Sequence, residues 1–160
     1  MNIDTREAKV TDFHQMLEIY KELDEIHRVE YPEIFIEPEG GPRPLEYIQD
    51  QIEDDDKYLV LAELDSLIIG FAECAVMESS TFPVMKKRKW VELNSIVVLK
   101  DYQSKGVGKI LLNCVSEWSR KKEINRIELK VFNFNSSASE FYLKADFKTM
   151  YSKMYLEMIV

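Results

Sequence analysis

One segment constrains this chain more than any other: Val98-Leu99-Lys100-Asp101-Tyr102-Gln103-Ser104-Lys105-Gly106-Val107-Gly108-Lys109-Ile110-Leu111. An apolar, β-branched run enters a polar loop. Two glycines then open a stretch with apolar residues at Ile110, Leu111, Cys114, Val115 and Trp118. This is the pattern of a strand, a tight loop and a helix N-terminus. Such a terminus gathers unpaired N–H groups and the positive end of the helix dipole, which favour an anion. Gly106 and Gly108 have no Cβ, so a phosphate can approach the backbone closely, and Lys105 and Lys109 add positive charge. Residue identity excludes two common phosphate loops. A P-loop ending at Gly108-Lys109 needs Gly at position 103 and Ser or Thr at 110, where the chain has Gln103 and Ile110. A dinucleotide fingerprint needs Gly or Ala at position 111, which is Leu111. The remaining pattern is Gln-x-x-Gly-x-Gly. Taken alone, its two glycines also suit a plain strand-to-helix turn.

Charge and length narrow the function classes. The 160 residues carry 21 Lys and Arg against 29 Asp and Glu, a net charge of −8. Nucleic-acid binding needs clustered cations, so DNA or RNA is not an expected partner. A cationic substrate is compatible with the acidity. The length suits a single domain over residues 1–160. No apolar run approaches the roughly 18 residues of a membrane span. The N-terminus MNIDTREAKV lacks an apolar signal core, so a cytoplasmic location is expected. Cys74 and Cys114 have no metal-type spacing and read as buried, reduced thiols; no metal site is expected.

Along the chain, residues 3–8 read as an opening strand. Thr11 and Asp12 offer oxygens to cap a helix with the stripe Phe13, Met16, Leu17, Ile19, Tyr20, Leu23 and Ile26. Residues 31–44 hold four of the five prolines and read as an ordered loop. Pro44 suits the first turn of a short helix to about residue 53. Residues 58–63 and 67–77 form a predicted hairpin around Asp65-Ser66, and a third strand spans 90–98. A basic loop, Lys86-Lys87-Arg88-Lys89, precedes that strand. After the glycine-opened helix come a strand at 126–132, a helix at 136–144, and a closing hairpin of 147–151 and 154–159. This order predicts an α/β (α+β) mixed sheet with helices on its faces.

The downstream stretch supplies a second motif. Asn135-Ser136-Ser137-Ala138-Ser139-Glu140-Phe141-Tyr142-Leu143-Lys144-Ala145-Asp146-Phe147 resembles the Asn-x-x-Ala-x-x-Phe-Tyr-x-Lys-x-Gly-Phe signature of the GNAT superfamily, the acyl-CoA-dependent N-acyltransferases. Gln103 to Gly108 resembles that family's pyrophosphate loop, and the matched core covers residues 91–151. Asp146 departs from the usual Gly, at a position where Asp tolerates left-handed geometry better than most residues. His27, Tyr31-Pro32-Glu33-Ile34-Phe35, the basic loop and Glu92 further resemble small bacterial members. The resemblance implies a central, mostly antiparallel twisted sheet of about six or seven strands with about four helices. It also implies acetyl-CoA as co-substrate, with no metal.

The implied reaction is attack by a neutral amine on the thioester, in a ternary complex. Backbone N–H groups of Gln103, Ser104, Lys105, Gly106, Val107 and Gly108, with Lys109, would anchor the pyrophosphate. The pantetheine arm would add like a strand beside Ile96, Val97 and Val98. An alkyl ammonium ionises at about 10, so a base is needed at neutral pH. Glu92 is the candidate base by family position and by shared face parity with Asn94, Ile96 and Val98; Glu73 on the neighbouring strand competes. Tyr142 occupies the family position of the acid that protonates the thiolate, and Asn135 would contact the pantetheine or cap its helix. His14 and His27 read as packing or exposed residues, His27 with a substrate contact as alternative; Lys86 to Lys89 read as a solvated loop or a contact for the CoA 3′-phosphate. Acceptor classes left open are polyamines, aminoglycosides, amino acids, and protein N-termini or lysines. A CoA-binding regulatory module without turnover is the alternative in a different class, and a homodimer is compatible with the family.

Overall fold

Alternating apolar residues pair into one sheet. The computed structural model describes residues 2–159, and its backbone groups into two units, Met1–Lys130 and Val131–Val160. In the first unit, β1 (Asp4–Glu7), β2 (Lys57–Leu64), β3 (Leu67–Glu78), β4 (Lys89–Val98) and β5 (Ile127–Leu129) lie side by side in chain order. β1 to β4 pair antiparallel, and β5 joins β4 in parallel. Asp65 and Ser66 both take positive φ, 50° and 67°, the primed two-residue turn that matches strand twist.

Each strand shows successive side chains to opposite faces. Leu59 and Leu61 of β2, Phe71 of β3 and Val97 of β4 share a core with Met16, Ile19 and Tyr20 of α1 (Phe13–Glu30) and Ile48 of α2 (Leu45–Glu53). The other face receives α3 (Val107–Lys121), which packs on β2, β3 and β4 with Leu111 and Val115 buried. Tyr58 of β2 stacks on Trp118 of α3 with ring centroids 5.3 Å apart. Gly70 marks a close approach of two strands: a Cβ there would lie 2.6 Å from the Val97 carbonyl oxygen. Asp12 does not cap α1 with its side chain. Its oxygens instead accept from Arg6 Nη1 at 2.7 Å, Arg6 Nη2 at 2.9 Å and the Lys9 backbone N–H at 2.7 Å.

The second unit holds α4 (Ser136–Lys144). Asn135 Oδ1 caps it by accepting the Ala138 N–H at 3.0 Å. Its C-terminal end is a Schellman motif: the Phe147 N–H donates to Tyr142 C=O at 3.0 Å and the Asp146 N–H to Leu143 C=O at 3.1 Å. Asp146 supplies the left-handed residue, with φ 66°.

Three expectations are corrected. The described residues form five strands rather than six or seven, because 147–159 adopt no strand. A two-stranded hairpin without a third strand is marginal in water, and the second unit offers no third strand among its described residues. The strand expected over 126–132 is only Ile127–Leu129. Cys74 is buried, and burial pushes its thiol up to about 12; Cys114 is only half-buried.

Candidate active site

The site begins with an irregularity in β4. Glu73 pairs with Ser95, but the next residue of β3, Cys74, pairs with Leu93. Asn94 is therefore an extra residue, a β-bulge. An extra residue inverts the alternation beyond it. Glu92, opposite Ala75, consequently shares its face with Ser95 and Val97, the face covered by α1 and α2. Ile96 and Val98 point to the α3 face. The parity expected from sequence, Glu92 with Ile96 and Val98, is thus wrong. Periodicity cannot reveal a bulge that contains a polar residue of ordinary type.

Beyond the bulge the sheet opens. β5 pairs with β4 only from Val91 to Leu93. The Leu99 N–H donates to Ile69 C=O at 2.9 Å. By antiparallel alternation, the main-chain groups of Ser95 and Val97 then face β3, and those of Ile96 and Val98 face the opened edge. Val97 accordingly has no main-chain role on that edge; it packs in the core. Val98 C=O accepts from Gln103 Nε2 at 2.9 Å, which ties the loop to the strand end. Among the described residues of the first unit, no strand covers the Ile96 N–H, the Ile96 C=O or the Val98 N–H.

The loop that follows turns through Ser104 at φ 59° and Gly106 at φ 85°. Gly106 is the N-cap of α3, and Ile110 N–H donates to its carbonyl at 3.1 Å. The N–H groups of Val107, Gly108 and Lys109 come before that first helical donor, so the helix itself gives them no acceptor. Lys105 Nζ donates to Asp101 C=O at 2.8 Å and sits 5.3 Å from the Tyr102 ring centroid. A Cβ on Gly106 would meet nothing within 4 Å, so its requirement for glycine is conformational within the protein.

Two carboxylates occupy the α1/α2 face with different surroundings. The Glu92 side chain, 19% exposed, accepts from Trp90 Nε1 at 2.9 Å and lies 4.0 Å from Lys130 Nζ. Glu73 is 3% exposed and accepts three hydroxyl hydrogen bonds, from Tyr20, Tyr47 and Ser95. Sequence reasoning named Glu73 but missed those partners; Tyr20 reads as one member of an apolar stripe, and nothing local marks Tyr47 or Ser95. Two members of the basic loop are engaged within the protein: Arg88 bonds Glu128 at 2.6 Å and lies over the Trp90 ring, and Lys89 pairs with Glu78, while Lys86 and Lys87 are exposed. His27 Nδ1 lies 2.9 Å from Leu23 C=O, with its ring against Phe35.

In the second unit, the Tyr142 ring lies between Phe141 and Phe147, at centroid distances of 5.2 and 5.5 Å. Burial pushes its phenol up to about 12, so it stays protonated at neutral pH. Asn135 meets its helix-capping role directly. Among the described residues, no three His, Cys, Asp or Glu side chains gather as metal ligands, and no helix is long and apolar enough to cross a membrane.

A mixed sheet opened beside a strand end, with a glycine loop feeding a helix N-terminus, is the architecture of the acyl-CoA-dependent N-acyltransferases. The chain belongs to the acetyltransferase (GNAT) family, whose model matches residues 17–147. An uncharacterized N-acetyltransferase of Methanocaldococcus jannaschii is 30% identical over 95 residues, 59% of this chain and 40% of that relative. The match thus spans less than half of the relative's length. The BH1408 protein of Bacillus halodurans, solved as a tetramutant, shares the fold at TM-score 0.89 and 22% identity, covering 99% of this chain and all of that one. AAC(6')-Iy in complex with the bisubstrate analog CoA-S-monomethyl-acetylneamine shares it at TM-score 0.76 and 18% identity, covering 100% of both chains.

Proposed function

We propose that residues 1–160 act as one catalytic domain that moves the acetyl group of acetyl-CoA to a primary amine of a small, cationic acceptor by direct attack in a ternary complex. The observation that carries this is the opened β4 edge at Ile96 and Val98, which runs into the loop from Gln103 to Gly108. Acetyl-CoA supplies the thioester acyl donor when bound. The main-chain groups of Ile96 and Val98 hold the pantetheine arm as a strand would. The N–H groups of residues 104–108 and the charge of Lys109 hold the pyrophosphate. Glu92, directly or through a water, takes the proton from the acceptor ammonium and frees the nitrogen lone pair. The C–N bond forms as the C–S bond breaks; Tyr142 gives its phenolic proton to the departing thiolate, and the second proton shed by the new amide nitrogen restores the phenol. Asn135 donates from Nδ2 toward the pantetheine.

A structure sharing this fold binds an analog that joins CoA to an acetylated neamine, and a net charge of −8 suits an amine-rich acceptor. The free thiols Cys74 and Cys114 support a reducing, cytoplasmic setting. Thermal unfolding with and without acetyl-CoA tests the donor. A ligand at about 100 times its Kd stabilises by about 2.7 kcal/mol, a readable shift. An amine panel then tests transfer. No shift would end the transferase proposal; a shift with no transfer to polyamines, aminoglycosides, amino acids or peptides would favour a CoA-binding regulatory module.

A further inference from the structure

The cluster around Glu73 joins three elements. Tyr20 Oη of α1 donates to Glu73 Oε2 at 2.7 Å, Tyr47 Oη of α2 to the same oxygen at 3.2 Å, and Ser95 Oγ of β4 to Oε1 at 2.9 Å. The Arg43 guanidinium lies 4.5 Å from the Tyr20 ring centroid and 5.9 Å from that of Tyr47, and it bonds both Asp24 oxygens at 2.8 and 3.0 Å. Arg43 ends the 31–44 connection between α1 and α2. A buried carboxylate is costly unless its lone pairs are taken up, and apolar packing often serves stability as well. A carboxyl group with three hydroxyl partners at this point therefore calls for a role in specifying geometry. Its two oxygens are already engaged by three hydroxyl donors, and the side chain is buried away from an incoming acceptor. Ser95 directly follows the bulge residue Asn94, on the face that carries Glu92.

We propose that Glu73 is a positioning residue for acetyl transfer: through Ser95 it holds the β4 bulge, and through Tyr20, Tyr47 and Arg43 it couples the 31–44 connection to that bulge. Its kinetic consequences rest on the transferase function proposed above; the coupling itself does not.

The experiment compares Glu73→Gln, Tyr47→Phe and Ser95→Ala by steady-state kinetics across pH and by backbone amide NMR. Glu73→Gln should lose about tenfold in kcat/KM for the amine, with the acetyl-CoA Kd and the acidic limb of the pH profile both retained. Tyr47→Phe should raise the acceptor KM, and Ser95→Ala should lower kcat, a split that general loosening would not produce. Wild-type kinetics in Glu73→Gln would overturn the proposal. So would loss of its acidic limb, which would make Glu73 the base. The NMR arm needs no turnover. Tyr47→Phe, on α2, should move the amide signals of Asn94 and Ser95; unmoved signals would sink the coupling even if no amine is ever acetylated.

Discussion

Glu92 and Glu73 occupy one face of the sheet and differ in their company. Glu92 has one indole donor and a distant ammonium, which leaves lone pairs open for the proposed base role. Glu92→Gln should depress the rate most toward acid pH, where the acceptor amine is hardest to deprotonate; an unchanged pH profile of kcat/KM would pass the base role to water. Tyr142, with its phenol pushed up to about 12, stays protonated across the physiological range. Tyr142→Phe should keep acetyl-CoA binding and lower kcat by about 100-fold, within the range usual for a general acid. Normal turnover in that variant would remove it from the acid role. A Cβ at Gly106 finds open space, yet a φ of 85° strains a β-branched residue such as the valine of Gly106→Val. It should weaken acetyl-CoA binding by about 1–3 kcal/mol, which calorimetry would read directly.

At the scale of elements, the first unit depends on close strand contacts and on ion pairs between neighbours. Gly70→Ala would force a Cβ against the Val97 carbonyl, so β3 and β4 must part. A loss of about 1–3 kcal/mol in urea unfolding is expected. Arg6 of β1 grips Glu63 of β2 and Asp12 together, with both oxygens of each carboxylate engaged. Its hydrogen bonds hold the Asp12 carboxyl below the usual carboxylate range despite desolvation. A carboxyl lowered on folding adds stability above its unfolded value of about 3.9 and loses it as pH falls through the folded value. Asp12→Ala should therefore cost about 2 kcal/mol at pH 7, and the gap from wild type should close in acid. A gap independent of pH would show that packing, not charge, carries the effect.

For the whole molecule, charge matters more than any single pair. A net charge of −8 attracts cations from a distance, the proposed acceptor among them. Salt screens that attraction, with a Debye length of about 10 Å at 0.1 M. The KM for a polyamine or aminoglycoside should thus rise with ionic strength more than the KM for an uncharged-side-chain amine. Equal salt dependence would argue against a cationic acceptor.

Local signals in the chain were enough for most of the elements, though not for the expected hairpin over 147–159 or the extent of β5. The apolar stripe at Met16, Ile19 and Tyr20, the turn at Asp65-Ser66, the glycine-opened α3 and the Asn135 cap all depend on neighbours a few residues apart, which is the range over which periodicity and capping act. The motif from Gln103 to Gly108 was legible for the same reason, as was the tolerance of Asp146 for a left-handed cap. Tertiary structure decided the rest. Whether Glu92 shares a face with Ile96 depends on one bulged residue, and a bulge is set by the pairing of β4 with β3, not by Asn94 alone. Whether Glu73 is a free base or an occupied one depends on hydroxyls 22 to 53 positions away in the chain. The end of the β4–β5 pairing at Leu93 is likewise a property of two strands diverging. Local preference acts along the backbone; register, burial and hydrogen-bond satisfaction are settled only when distant segments meet.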